Sequence, residues 1–176
     1  MKPEILERQV ARACYVTVER LRVRLGDGAE IWREVERHGD AVAVLPCDSR
    51  RRTGLVVRLF RAPVFDVAGE SSLEEACAGM IEDEAPETAT RREALEELGV
   101  RLGALEWVAR VWSSPGVGAA RQSLFLAPYG RADRIAAGGG SRANTRPSRW
   151  SSGRSWIWPP TPTPERSPTP SFSRWF

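Results

Sequence analysis

Residues 79–100 read GMIEDEAPETATRREALEELGV, and the fold turns on how the second half of that stretch is read. Its pattern predicts a short helix. Pro86 suits a first helical position, where its missing N–H would have no partner anyway. Ala89 to Leu98 contains no Gly, no Pro and, Thr90 apart, no β-branched residue, a composition that favours helix. Gly99 is the expected left-handed stop. On such a helix Glu93, Glu96 and Glu97 are spaced three and four apart and share one side. Like charges at that spacing cost about 0.2–0.5 kcal/mol per pair. Ala94, Leu95 and Leu98 form a separate apolar stripe expected to face the core. The carboxylate cluster has two readings. One is a solvated acidic face. The other is a site for a hard divalent cation, because Mg²⁺ takes oxygen ligands and often bridges to substrate phosphates.

The surrounding spacing separates the two. Gly79, Glu84 and the run Arg92-Glu93-Ala94-Leu95-Glu96-Glu97-Leu98-Gly99-Val100 resemble the Nudix box, a loop–helix motif of diphosphate hydrolases. Four residues lie between Gly79 and Glu84, one fewer than in the family pattern, while the second half matches throughout. The shortened loop, with Ala78-Gly79 before it and Pro86-Glu87 after it, is similar to the nucleotide-sugar pyrophosphatase branch, which includes ADP-ribose and GDP-mannose pyrophosphatases. The resemblance implies an α/β (α+β) fold, a Nudix α/β/α sandwich with a mixed sheet preceded by N-terminal antiparallel strands. It implies Mg²⁺ as cofactor, with Mn²⁺ second. The metal ligands it implies are Glu93, Glu97 and the backbone carbonyl of Ala78, with Glu96 and Glu97 as catalytic carboxylates. Arg92 is expected to orient them, and Glu84 to close the loop or pair with Arg92. The reaction implied is attack of water on a nucleoside diphosphate sugar, giving a nucleoside monophosphate and a sugar phosphate.

Composition bounds the rest. The 176 residues are 41% hydrophobic, enough for one ordinary core. No apolar run approaches the length of a membrane span, and MKPEILERQV lacks the apolar region of a secretory signal. Cys14, Cys47 and Cys77 are an odd, widely spaced set with no CxxC, and the lone His38 offers no zinc partner. They read as reduced, core-packing thiols of a cytoplasmic protein. The net charge of +3 is uneven. Residues 1–140 carry 20 basic and 22 acidic side chains, a net of −2, and residues 141–176 carry six Arg and Glu165, a net of +5. The basic balance therefore belongs to the tail, and nucleic acid is not expected to bind the body.

Along the chain, residues 1–40 read as antiparallel strands. Leu21, Val23 and Leu25 alternate, Gly26-Asp27-Gly28 signals a hairpin, and Glu30 to Arg37 alternates in turn. A hairpin so short must bury a face against something, and in the resembled branch such strands pair with a second subunit, so a homodimer is expected. Ala41 to Cys47 and Gly54 to Phe60 read as a hairpin in a central mixed sheet, and Pro63 to Gly69 as a connecting loop. Taken alone, Arg58 and Arg61 are surface arginines ending a strand. Matched to the branch, Arg61 is expected to contact the nucleotide diphosphate, and Arg33 to contact substrate, reaching the partner subunit's site. After the box, Leu105 to Trp112 and Ser123 to Ala127 read as strands around a Ser113-Ser114-Pro115-Gly116 turn.

Two departures from the branch follow. Ala120 stands where the branch commonly carries a substrate-site Glu. After Gly140 the branch continues into an acidic loop that supplies a further catalytic or metal-binding Glu, whereas this chain continues SRANTRPSRWSSGRSWIWPPTPTPERSPTPSFSRWF. That segment holds seven Pro, eight Ser and four of the seven Trp. The resemblance thus covers roughly residues 15–140, and three units are expected: 1–40 for dimerisation, 41–140 as the hydrolase domain and 141–176 as a disordered tail. The tail reads as frameshifted or otherwise aberrant, since it breaks mid-motif and 25 of the 26 basic residues are Arg, as a GC-rich gene would give. The alternatives are a natural Pro/Ser linker, a polyproline segment that docks on a partner, or an Arg/Trp stack on single-stranded nucleic acid. The second functional expectation is a catalytically impaired Nudix-fold protein that only binds a nucleotide sugar.

Overall fold

The computed structural model describes residues 1–138; the expectations for 141–176 lie outside the described residues. The chain opens with β1 (Glu4–Ala13), β2 (Thr17–Arg24) and β3 (Glu30–Arg37), an antiparallel sheet in that order. The Gly26-Asp27-Gly28 turn joins β2 to β3 as expected, with the Ala29 N–H donating to Asp27 Oδ1 at 3.0 Å. β1 was not individually legible, because its residues EILERQVARA have no clean alternation and are almost all exposed.

β4 (Ala41–Asp48) is the hub of the body. Its AVAV run is buried on both faces, which is why it reads as continuous apolar sequence rather than an alternating one. One edge pairs in parallel with β10 (Arg121–Pro128), which in turn pairs antiparallel with β9 (Glu106–Trp112). The other edge is shared. Residues Ala41 to Val44 pair antiparallel with β8 (Cys77–Met80), and Cys47 and Asp48 pair with β5 (Thr53–Gly54). That sharing corrects the expected long hairpin. Because β8 occupies the first half of the edge, the chain leaves β4 after Leu55, whose N–H donates to Pro46 O at 2.9 Å. β6 (Val57–Leu59) then pairs with β7 (Leu73–Glu75) in a separate two-stranded ladder. The result is the α+β architecture with a mixed sheet and leading antiparallel strands.

A second correction concerns the segment after Arg61. Instead of a loop it forms α1 (Ala62–Ala68), begun by Pro63 in its first turn and ended by Gly69 at φ 70°. The Pro and Gly brackets were present in the sequence, but Val64 and Val67 lower helix propensity, and nothing of α1 is buried. The box helix, α2 (Pro86–Leu98), matches expectation: Pro at its start, Gly99 at φ 65° as left-handed cap. Ala89, Thr90, Ala94 and Leu98 pack it onto a core of Val42, Val44, Cys77, Val100 and Phe125. Leu95 does not join that stripe; it is 42% exposed, and the buried Ala89 and Thr90 one turn earlier complete the face instead.

The two sheets meet at a narrow seam. The Glu36 N–H donates to Val117 O at 2.7 Å, and the Ala119 N–H to Glu36 O at 2.9 Å. Next to it Asp40 accepts from the Arg121 N–H at 3.0 Å and from the Arg110 guanidinium at 2.5 Å, which fixes where β4 begins. Among the described residues no helix is long and apolar enough to cross a membrane.

Candidate active site

α2 lies across β8 so that its acidic side meets the strand's backbone. The contact is close at Gly79: a Cβ there would sit 1.9 Å from Glu93 Cδ. Glycine is required because the Glu93 side chain occupies the space where any side chain of residue 79 would begin. One turn further on, Glu97 lies beside Cys77 and Ala78. The strand and helix therefore bring Ala78, Glu93 and Glu97 together, as the motif implies.

The electrostatics of the pair are unusual for surface glutamates. Burial raises the pKa of Glu93, opposed by the Arg92 guanidinium, whose Nη1 donates to Glu93 Oε1 at 2.8 Å. Burial likewise raises the pKa of Glu97, and the nearby Glu93 adds to it, while the Cys77 thiol, the Ala78 N–H and Arg61 favour the charged form. Glu97 Oε2 is buried and has no hydrogen-bond partner among the described residues. A buried acceptor left without a donor costs about 1–3 kcal/mol, and orphaned groups of this kind mark places where a water or ion binds. Two partly buried carboxylates with an unused oxygen are a donor set for a hard cation. Among the described residues no three His, Cys, Asp or Glu side chains converge to hold a metal by themselves. Backbone and substrate oxygens would therefore have to complete the coordination of any cation held there.

Glu96 stands apart. Its side chain is 40% exposed and only approaches Arg92, at 3.7 Å. Arg92 is the organiser of the motif. It donates from Nε and Nη2 to Glu84 Oε1 at 2.9 and 2.7 Å, and from Nη2 to Met80 O at 3.1 Å. The loop from Gly79 to Ala85 is thus tied to α2, and the structural role expected of Glu84 is seen directly. Glu84 and then Glu93 push the Arg92 pKa further up, so its charge is fixed.

Arg61, the residue before α1, is clamped by Glu75: Nε and Nη2 donate to Oε2 at 2.9 and 2.6 Å. That pairing raises its pKa, and Glu97 and Tyr15 are also within electrostatic reach. Arg61 therefore lies near enough to Glu97 for their charges to interact, while its hydrogen bonds go to Glu75. Arg33 does not within this chain; it lies on exposed β3, its Nη1 donating to Trp32 O at 2.8 Å. Three neighbours were not singled out from sequence. Glu75 and Cys77 precede Gly79 by steps of two, the strand period that places residues on one face, and that spacing was the available signal. Tyr15, 94% exposed in the β1–β2 turn, gave no signal, since only the fold brings it toward Arg61. Ala120 carries no acid, but its carbonyl accepts from the Ser113 N–H at 3.1 Å and so holds the turn before β10.

Comparison with known proteins bears on this geometry. Residues 37–133 match the NUDIX domain. A GDP-mannose pyrophosphatase of Cronobacter sakazakii is 39% identical over 110 residues, covering 61% of this chain and 57% of that protein. One of Pectobacterium atrosepticum is 38% identical over 109 residues, covering 61% of this chain and 56% of its own length. The chain therefore spans little more than half of these relatives. A solved structure described as an ADP compounds hydrolase superposes with a TM-score of 0.65 at 21% identity, over 85% of this chain and 78% of that one, a likeness of fold. With the loop and helix of residues 79–100 folded around Gly79, Arg92 and Glu93, and a match that takes in more than half its length, the chain belongs to the NUDIX domain family.

Proposed function

We propose that this protein hydrolyses a nucleoside diphosphate sugar (ADP-ribose, another ADP-sugar or GDP-mannose) to a nucleoside monophosphate and a sugar phosphate, with Mg²⁺ or, second, Mn²⁺. The observation that carries the reading is the unpartnered Glu97 Oε2 buried beside Glu93 beneath α2. Glu93, Glu97 and the Ala78 carbonyl are the proposed ligands. When bound, the cation neutralises diphosphate charge and polarises a phosphoryl oxygen or a water. The chain's own residues do the positioning. Arg92 holds Glu93 in place and the loop closed. Arg61, held by Glu75, presents a guanidinium suited to diphosphate oxygens. Glu96 is exposed enough to serve as a second-tier carboxylate facing solvent or substrate. Arg33 would act only across a homodimer formed through the N-terminal sheet, contributing to the partner's site.

A second reading is favoured by a specific observation: Ala120 where the resembled branch commonly carries a Glu, and a Pro/Ser/Arg/Trp-rich segment after Gly140 where that branch continues into an acidic loop. On that reading the protein binds a nucleotide sugar and turns it over poorly or not at all. The deciding experiment incubates the full chain with ADP-ribose or GDP-mannose and Mg²⁺ or Mn²⁺, and follows nucleoside monophosphate by chromatography, with Glu97→Gln as control. Metal-dependent product lost in the control supports hydrolysis. Binding without product supports the second reading, and neither binding nor product removes both.

A further inference from the structure

Away from the carboxylates, the described residues line an open cavity of about 460 Å³ at the carboxyl ends of the parallel strands β4 and β10. None of Ala78, Glu93, Glu96, Glu97 or Arg61 lines it. It begins at Cys47, three residues beyond Val44, the partner of Cys77, which at the rise of a strand is about 10 Å along β4. Arg50 and Arg51 from the β4–β5 turn and Arg131 from the turn after β10 all line it.

The balance of charge in this cavity is what gives it a ligand class. Its two carboxylates are already engaged. Asp48 Oδ1 accepts the Arg50 and Arg51 N–H groups at 3.0 and 3.1 Å, and Oδ2 faces the Arg51 guanidinium at 3.3 Å. Asp133 Oδ2 accepts the Gly130 N–H at 2.8 Å. Each acid thereby fixes the turn that carries an arginine. The side chains of Arg50 and Arg131 make no ion pair with another described residue. The turn is held in this shape at a cost, since the next residue, Arg52, sits at φ 56°, a conformation uncommon for a non-glycine residue. Tyr129, packed against the core, also lines the cavity.

We infer that this cavity is a second anion site, which takes a phosphate-bearing small molecule of up to nucleotide size. Guanidinium groups bind phosphate oxygens through paired N–H donors, and two of the three here make no ion pair with another described residue. The inference does not rest on the proposed hydrolysis. It does have a physical link to α2: the Asp133 carbonyl accepts the Arg101 N–H at 2.9 Å, and the Ile135 and Ala136 N–H groups donate to Gly99 O at 2.9 and 3.1 Å. The turn that carries Arg131 is therefore strapped to the end of the helix that carries Glu97.

The test is calorimetric titration of the full chain, in chelator so that cation-dependent binding is silent, with inorganic pyrophosphate and separately with AMP. The expected result is saturable binding that Arg50→Gln/Arg131→Gln weakens at least tenfold and Glu93→Gln leaves unchanged. Tighter binding of AMP than of pyrophosphate identifies a nucleotide as the occupant, and the reverse an inorganic phosphate; both support the site. No saturable binding to the wild-type chain overturns the inference, as does equal affinity in the double arginine variant. Should that variant misfold, amide exchange of the wild-type chain decides. Protection gained on adding pyrophosphate must fall on residues 48–52 and 129–133, and protection confined to residues 78–97 overturns the assignment.

Discussion

The N-terminal sheet and the body behind it are both rich in β-strand, yet different forces hold them. In β1 to β3 one hydrophobic residue, Leu21, is buried. Order across the strands comes from Arg22 and Arg24 on Glu30, Arg37 on Glu19 and the Arg20 guanidinium over Trp32. Exposed pairs of this kind contribute about 0–1 kcal/mol each. The body instead buries Val42, Val44, Phe125 and Leu98, each contributing about 1.5–3 kcal/mol. Ion pairs set register in the first region, and apolar burial sets stability in the second. A sheet with so little buried face is not independently stable, which is the physical argument for a second copy covering it.

The comparison breaks most visibly if core truncations cost the same in both regions. Leu98→Ala should destabilise the protein by about 2–5 kcal/mol in urea melts, and Leu21→Ala by clearly less, because its surroundings can relax into solvent. Equal losses would mean that the sheet shares the body's core energetics.

The next effect is on activity. Removing a residue that only hydrogen-bonds to a metal ligand typically costs about 10–100-fold, so loss of a proposed ligand in Glu97→Gln should exceed about 100-fold in metal-dependent turnover, whereas Glu96→Gln should cost much less. A Glu96→Gln loss as large as that of Glu97→Gln would show that exposure is a poor guide to role on α2. Without metal the same carboxylates should act on stability in the opposite sense. Burial raises the pKa of Glu93 and Glu97 above the usual value near 4.5. In the folded state each therefore binds its proton more tightly than in the unfolded state. Their contribution is fully present below about pH 4.5 and is lost as pH rises through the folded values. Thermal melts of the metal-free protein should show Glu97→Gln gaining on wild type across that window, with divalent cation restoring the wild type at neutral pH. A constant difference from pH 4 to 8 would remove burial as the cause.

Much of this was readable beforehand for reasons that differ by element. α2 was legible at both ends because Pro86 and Gly99 act through local backbone geometry, which sequence encodes directly. The pairing of Arg92 with Glu84 was legible because loop and helix lie close in sequence. Leu95 falls outside the buried face because helix periodicity defines a stripe but not which edge of it the sheet covers. The break between β5 and β6 was hidden because it depends on β8 taking the same edge of β4, a competition between distant segments. For the same reason Glu75 clamping Arg61 and Tyr15 nearing it became visible only in three dimensions, as did the arginines that line the second cavity.

The smallest effect on folding tests the sharpest part of the comparison. Val10 lies on β1 and is 64% exposed. In a monomer, Val10→Lys should change stability by no more than about 0.5 kcal/mol, as exposed substitutions generally do. If a second copy covers this face, a charge there must be desolvated at the contact or the contact must open. Sedimentation of the wild type should then give the mass of two chains, and of the variant the mass of one, while denaturant midpoints at high dilution stay alike. A monomeric wild type would remove the homodimer and, with it, any part for Arg33 in a partner's site. The carboxylates beneath α2 would stand unaffected, because every contact that positions them is made within one chain.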